Sequence, residues 1–164
     1  MSVDDIYDTY KSHMTDVLYT SEFFGGNLDK KVRYKKGYKY QLSSTFVQQT
    51  KVRVHTDIDT EYIKLDTKGV ITILKGYAWD GASGPTIDTP DCIRGSLVHD
   101  ALYQLMRMGK VHKIYRNLAD LELKRLCIED GMNKLKAHTW YLAVKLFAKK
   151  CVEPGFSRKL LIAP

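Results

Sequence analysis

The hydrophobic pattern of this chain changes its period near residue 76, and this change constrains the fold more than any other feature. Between residues 32 and 75 apolar residues alternate with basic and polar ones in short runs, as in Tyr38-x-Tyr40-x-Leu42. A period of two is typical of β-strands with one buried face. From about residue 92 onward, apolar residues recur every three or four positions, as in amphipathic helices. Strands followed by helices predict an α+β fold.

The strand-rich half predicts one small antiparallel sheet of four or five strands. Gly37 separates two alternating runs, and the sequence Asp66-Thr67-Lys68-Gly69 separates the runs 62–65 and 70–74. Turn residues of this kind between two β-rich runs predict a hairpin.

Three helices are predicted after the sheet, and the first two are expected to pack together. The first covers about 92–108, with Gly109 as its C-cap. The second covers about 118–130, with Asn117 as its N-cap and Gly131 as its stop. The third covers about 134–151, and its expected apolar face consists of Ala137, Trp140, Tyr141, Val144, Phe147, Ala148 and Cys151.

A further helix is predicted near the N-terminus, over residues 3–18. Its apolar residues Ile6, Tyr10, Met14, Val17 and Leu18 mark one face, and a capping-box-like Ser2-x-x-Asp5 precedes them. The glycines near residue 25 predict a hinge or linker. The chain is therefore divided into an N-terminal helix and linker (1–27), a single α+β domain (28–153) and a C-terminal tail (154–164).

The positive charge is concentrated in the last third of the chain. The formal net charge is +7. Residues 1–100 contain 13 basic and 14 acidic residues, whereas residues 101–164 contain 13 basic and 5 acidic residues. Such asymmetry indicates either contact with an anionic membrane or nucleic acid, or a solvated basic helix face. No zinc-finger, recognition-helix or aromatic RNA-binding pattern is present in the sequence, so we expect no specific nucleic-acid partner.

Cysteine usage and hydropathy indicate the cellular compartment in which we expect the chain. The three cysteines have no CxxC spacing, so we expect neither a disulfide framework nor a cysteine zinc site. The sequence shows neither a signal-peptide pattern nor an apolar run long enough to span a membrane. We expect the chain in a host cytoplasm or in a virion.

The candidate chemistry lies between Gly76 and Tyr103. A loop, Trp79-Asp80-Gly81-Ala82-Ser83-Gly84-Pro85, precedes the helix that carries His99-Asp100-x-x-Tyr103. Residues four apart share a helix face, and an ionisable group on a buried helix is costly unless it is paired or bound to a cation. Asp120 follows on the next predicted helix, where it would equally suit the helix dipole.

These residues resemble two families. Along the chain, the loop and Pro85 are followed by Asp88, Asp91, His99-Asp100-x-x-Tyr103 and Ala119-Asp120. This order is similar to that of the phospholipase A2 superfamily, and above all to the disulfide-free phospholipase domain of parvovirus capsid proteins. Gly109 and Tyr115 match that pattern as well. The fragment from Asp80 to Pro85 with the later His-Asp pair also resembles an uncharacterised bacterial and phage family catalogued as domain of unknown function 1353. The second resemblance covers about 60–130.

The phospholipase resemblance implies a calcium-dependent hydrolase of lipid esters. His99 would be the general base, Asp120 would orient its imidazole, and Tyr103 would hydrogen-bond Asp120. Asp100 would bind Ca²⁺ together with oxygen atoms of the loop, for which Asp80, Gly81 and Ser83 are the candidates. The basic third helix, with Trp140, Tyr141 and Phe147, would then lie on an anionic membrane.

Other interpretations of the same residues stay open. Asp80, His99, Asp100 and Asp120 could form a different metal centre, because the loop departs from the superfamily in its glycine content and in the position of its proline. The network could also be a buried polar scaffold in a phage structural or assembly protein, whose partners would be other phage structural proteins. An HD-type phosphohydrolase would need further ligands on preceding helices, where this sequence predicts a sheet.

Overall fold

The alternating half of the chain forms two small antiparallel sheets rather than the single sheet predicted. This computed structural model describes residues 34–36, 40–81 and 89–154. One sheet has the order β1-β2-β7 and the other the order β3-β6-β5-β4. The strands are β1 (Tyr34–Lys36), β2 (Tyr40–Leu42), β3 (Phe46–Gln49), β4 (Ile58–Asp59), β5 (Ile63–Leu65), β6 (Val70–Ile73) and β7 (Ala78–Trp79).

The division into two sheets comes from the return of β7 to β2. Leu42 N donates to Tyr77 O at 2.8 Å, and Gly76 N donates to Leu42 O at 2.9 Å. Tyr40 pairs with Trp79, and their rings lie 5.2 Å apart. Nothing local in the sequence marks this long-range pairing, so periodicity alone could not predict it.

The predicted hairpin is confirmed. Strands β5 and β6 pair antiparallel, with Leu65 opposite Ile71. The turn is closed by Gly69 N donating to Asp66 O at 3.0 Å, and Asp66 Oδ1 accepts from Val70 N at 2.7 Å. Gly69 has a φ of +84°, and a Cβ there would lie 2.8 Å from two backbone carbonyl oxygens, so glycine is required.

Three packed helices follow, as predicted. They are α1 (Pro90–Arg107), α2 (Arg116–Glu129) and α3 (Lys134–Phe147), with short 3-10 helices at Lys113–Tyr115 and Ala148–Val152. Helices α1 and α2 pack against each other, and α2 packs against α3. Gly109 ends α1 with a φ of +67°, and Lys110 N donates back to Leu105 O, which is the Schellman arrangement.

Three expectations about the helices need correction or fall outside the description. Asn117 is not a cap, because α2 begins at Arg116 and the Asn117 side chain accepts from the Tyr141 hydroxyl instead. Helix α3 ends at Phe147 and continues as a 3-10 turn. The predicted N-terminal helix, residues 3–18, and the tail beyond residue 154 lie outside the described residues.

A common core joins the sheets to the first two helices. It includes Leu42, Ile63 and Ile73 from the strands and Leu97, Leu102 and Leu126 from α1 and α2, all almost fully buried. A second cluster, around Cys92, Cys127 and Trp140, joins α3 to the other two helices. Within the described part of the chain, no helix has the length and hydropathy to cross a bilayer.

Candidate functional site

Helix α1 is buried on almost every side, so each of its polar side chains must find a partner. Its buried residues include Arg94, Ser96 and His99. An unpaired buried polar group costs roughly 1–3 kcal/mol, and a buried charge costs more. Arg94 pairs with two acidic residues, Ser96 accepts from the Trp79 indole at 3.2 Å, and His99 turns toward α2.

His99 and Asp120 form a hydrogen-bonded pair between α1 and α2. The distance from His99 Nε2 to Asp120 Oδ1 is 2.9 Å. The Tyr103 hydroxyl donates to the same oxygen at 2.6 Å, and the His99 and Tyr103 rings are 4.0 Å apart. The three residues predicted to be catalytic therefore meet.

Asp120 is fully buried, and its second oxygen is less well satisfied than the first. Among the described residues, Asp120 Oδ2 accepts no hydrogen bond, and the nearest cation is Arg116 Nη1 at 3.6 Å. Asp120 is the fifth residue of α2 and lies just past the first turn, within which the helix dipole favours an acid. Dipole complementarity therefore does not explain Asp120, whereas pairing with His99 and Tyr103 does.

Two opposed influences act on the pKa of His99, and the net result is a pKa above the usual value of 6.5. Burial favours the neutral imidazole and alone would lower the pKa. The carboxylates of Asp100 and Asp120 favour the imidazolium and outweigh burial. Asp100 Oδ1 lies 3.6 Å from His99 Nδ1, so the ring has one acid on each side.

Asp100 and Asp80 act on a common neighbour, the hydroxyl of Tyr77. Burial raises the pKa of Tyr77 well above its usual 10, and the negative charge of Asp100, followed by that of Asp80, adds to the rise. The positive charge of Arg107 opposes it. The two carboxylates proposed as metal ligands are therefore both within electrostatic range of one buried group.

The proposed cation ligands are only partly within the described chain. Gly81 is buried with a φ of +71°, a conformation that suits glycine. It lies two residues after Trp79, whose indole donates to Ser96 of α1. Ser83 lies in residues 82–88, outside the described part. Among the residues that are described, no three His, Cys, Asp or Glu side chains lie close enough to hold a metal ion. The four-residue metal centre considered above is therefore not formed by these side chains alone.

Access to the pair from solvent is narrow in the described residues. The His99 side chain is 8% exposed. A cleft of about 410 Å³ lies near the C-terminal end of α1, lined by residues such as Met106, Val111 and Tyr115, and His99 does not contribute to it.

The prediction of an aromatic membrane face on α3 is wrong for two of its three residues. Trp140 and Tyr141 are buried, Trp140 within the second cluster and Tyr141 with its hydroxyl on Asn117. Phe147 is exposed, together with leucines on the outward side of α3. A period of 3.6 predicts that one face is apolar, but the neighbouring helices decide which residues are covered.

Two residues at the site were not predicted for these positions. Arg116 lies 3.6 Å from Asp120, and its spacing of four residues from Asp120 on one helix is the sequence signal that could have identified it. Tyr77 carries no local signal, because it reaches Asp100 only through the return of β7 to β2.

Comparison with family models, curated proteins and solved structures finds no match to this chain.

Proposed function

We propose that the chain is a phage-type hydrolase of lipid esters, in which His99 and Asp120 form a phospholipase A2-like catalytic pair. The observation that supports this most is the 2.9 Å contact between His99 Nε2 and the fully buried Asp120, which leaves Nδ1 as the ring nitrogen that can accept a proton. The substrate partner in this proposal is a phospholipid in a membrane surface. The protein would act in the host cytoplasm or from a virion.

The proposed reaction uses the two ring nitrogens differently. Asp120 accepts the Nε2 hydrogen, which favours the tautomer with the lone pair on Nδ1. Nδ1 takes a proton from water while the water oxygen bonds to the ester carbonyl carbon. The imidazolium then returns its proton to the leaving alkoxide as the ester C–O bond breaks. Asp120 stays ionised throughout, and Tyr103 holds its oxygen in place by a second hydrogen bond.

Calcium is a separate part of the proposal. It would bind Asp100 with oxygen atoms of Asp80, Gly81 and Ser83, and it would polarise the ester carbonyl. Among the described residues, the side chains do not form a cation site by themselves. The proton transfers above are assigned to His99 and Asp120 alone. Calorimetry with Ca²⁺, Mg²⁺ and Zn²⁺ on the wild type and Asp100→Asn tests this part. Absence of binding by all three would remove calcium and leave the His99–Asp120 pair.

The variant that tests catalysis is His99→Gln rather than His99→Ala. Alanine would leave the buried Asp120 carboxylate with one partner fewer, and an uncompensated buried charge costs about 3–5 kcal/mol. Glutamine keeps an N–H donor for Asp120 but is not a base. We expect hydrolysis of phospholipid vesicles to fall by about 10²–10⁴ with His99→Gln.

Melting temperatures separate the catalytic role from a structural one. His99→Gln is expected to melt close to the wild type, with activity measured well below both transitions. An active His99→Gln, or a wild type that hydrolyses neither phospholipid vesicles nor soluble esters, would contradict the hydrolase.

A second candidate function is a phage structural or assembly protein without catalysis. The small exposed fraction of His99, and a cleft that lies elsewhere, favour this alternative. The polar network would then tie α1 to α2, and other phage structural proteins would be the partners. Stoichiometric presence of the chain in purified particles, combined with no ester turnover, would support it over the hydrolase.

A further inference from the structure

Helix α3 has an outward-facing apolar surface that nothing in the described chain covers. We name Leu135, Leu142 and Leu146 the outer stripe, because their spacings of seven and four residues place them on one helix face. Their exposed fractions are 76%, 41% and 70%, and Phe147 beside them is 83% exposed. These four are the majority of the seven large hydrophobic residues exposed in the described part of the chain. Large apolar side chains exposed together on one helix face indicate an interaction site.

The surroundings of the outer stripe are strongly basic. Residues 134–150 contain the lysines at 134, 136, 145, 149 and 150 and no acidic residue. Lys136 and Lys145 lie over the buried rings of Trp140 and Tyr141, at 5.6 and 5.5 Å from the ring centroids. The occupant of this face should therefore combine an apolar surface with negative charge.

Residues 1–27 of the same chain have this combination. They contain five acidic residues against one lysine. Ile6, Tyr10, Met14 and Val17 recur at helical spacing, and on that helix all four aspartates would lie off the apolar face. No acid of α3 competes for the lysines, so the charges of the two segments are complementary.

The connection between the two segments is long enough. Lys136 of α3 donates to Thr89 at the start of α1 at 3.2 Å, and Trp79 of β7 contacts Ser96 two turns further along α1. Strand β7 belongs to the same three-stranded sheet as β1, which begins at Tyr34. The 15 residues from 19 to 33 can span up to about 50 Å when extended, more than the few strand and helix-turn widths that separate these elements.

We propose that residues 3–18 dock as an amphipathic helix on the outer stripe of α3 in the same molecule, with the acidic side chains facing the lysines. This inference goes beyond the hydrolase and does not depend on it. The N-terminal segment would cover the largest apolar surface that α3 leaves open, and its release would expose that surface.

Hydrogen–deuterium exchange on the full chain tests the docking. In the wild type we expect the amides of residues 3–18 to exchange at least about tenfold more slowly than unprotected amides. The reason is that a docked helical amide exchanges only when the segment opens. The double variant Leu142→Asp/Leu146→Asp is expected to abolish this protection. The matched control is Ile114→Asp, which places the same charge at a residue that is 40% exposed and lies outside α3, and it should leave the protection unchanged.

Four outcomes would overturn the proposal. The first is exchange of residues 3–18 at the unprotected rate in the wild type, and the second is protection that survives Leu142→Asp/Leu146→Asp. Light scattering could instead show a dimer that the double variant dissociates, which would make a second copy of the chain the occupant. Co-sedimentation with anionic vesicles that the double variant loses, without protection of residues 3–18, would make a lipid surface the occupant.

Discussion

At the scale of single residues, the charge state of His99 is decided by its two acidic neighbours. Asp120 is buried and Asp100 is partly exposed, and together they raise the pKa of His99 against the effect of burial. A group whose pKa is higher in the folded than in the unfolded chain stabilises the fold through its protonated form. That stability is fully present below pH 6.5 and is lost as the pH rises through the raised pKa.

The direction of the His99 pKa shift predicts the effect of Asp100→Asn. Asp100 raises the pKa of His99 first through its side-chain hydrogen bond and then through its charge, and both effects exceed the matching effects of Asp120, so replacing this carboxylate should lower the pKa. The acid limb of any hydrolysis should move to lower pH in parallel, because the base must be neutral. NMR titration of the His99 ring, with a chelator present, measures the shift. The control is Asp59→Asn, which removes an exposed carboxylate that pairs with Lys64 instead. A His99 pKa that stays the same in both variants would contradict the assigned cause.

At the scale of elements, the contact between α1 and α2 depends on the absence of a side chain at Gly95. A Cβ at this position would lie 2.8 Å from Cys127 Sγ and 3.0 Å from Leu123 O. The glycine thus permits the close approach of the two helices, four residues before His99 on α1, and keeps His99 within reach of Asp120.

Gly95→Ala is therefore expected to destabilise the protein. Overpacking costs about 1–3 kcal/mol, whereas alanine gains only about 1 kcal/mol over glycine in a helix, so the net loss is up to about 2 kcal/mol. Urea unfolding measures it. Cys127→Ala combined with Gly95→Ala should recover part of the loss, because it removes the nearer of the two atoms.

The control for this prediction is Gly131→Ala. Gly131 has a φ of +100°, and no atom lies within 4 Å of the position that a Cβ would occupy, so its loss would come from backbone strain of roughly 1–2 kcal/mol. Cys127→Ala should not relieve that loss. A stabilised Gly95→Ala would show that the helices can separate without cost.

At the scale of the whole molecule, Arg94 joins the four-stranded sheet to the helices. Its side chain is 3% exposed, and its guanidinium lies 2.8 Å from Asp130 and 3.0 Å from Glu129, at the end of α2. Nη1 also donates to Gln48 of β3 at 3.2 Å. One side chain of α1 thus connects three elements that are far apart in sequence.

Arg94→Met is expected to weaken the sheet and the helices together. Hydrogen bonds to charged groups contribute about 1.5–3 kcal/mol, and water can reach both acids, so we expect a loss of about 1–3 kcal/mol. Circular dichroism at 222 nm reports on the helices, and hydrogen exchange of β6 reports on the sheet. Both should shift by the same free energy. The control is Lys64→Met, which breaks an exposed pair within the sheet and should cost less than about 1 kcal/mol.

Much of the fold is predictable from local pattern, because the period of apolar residues and the turn residues act over short stretches of chain. The β5–β6 hairpin, the ends of α1 and α2 at Gly109 and Gly131, and the order of strands before helices are of this kind. The spacing of His99 and Tyr103 likewise places both on one face of α1. Helix boundaries are less well determined by local pattern: Asn117 is a residue type that favours an N-cap, but it lies inside α2, where its side chain bonds Tyr141.

Sequence by itself determined which residues could share a face: His99 with Tyr103, Leu142 with Leu146, and Trp140 with the apolar side of α3. Tertiary structure alone decided which faces meet. It paired His99 with Asp120, returned β7 to β2 so that Tyr77 reaches the charge of Asp100, and buried Trp140 while leaving Phe147 exposed. The physical reason is that periodicity is set by backbone geometry within one element, whereas burial and pairing depend on contacts between residues distant in the chain.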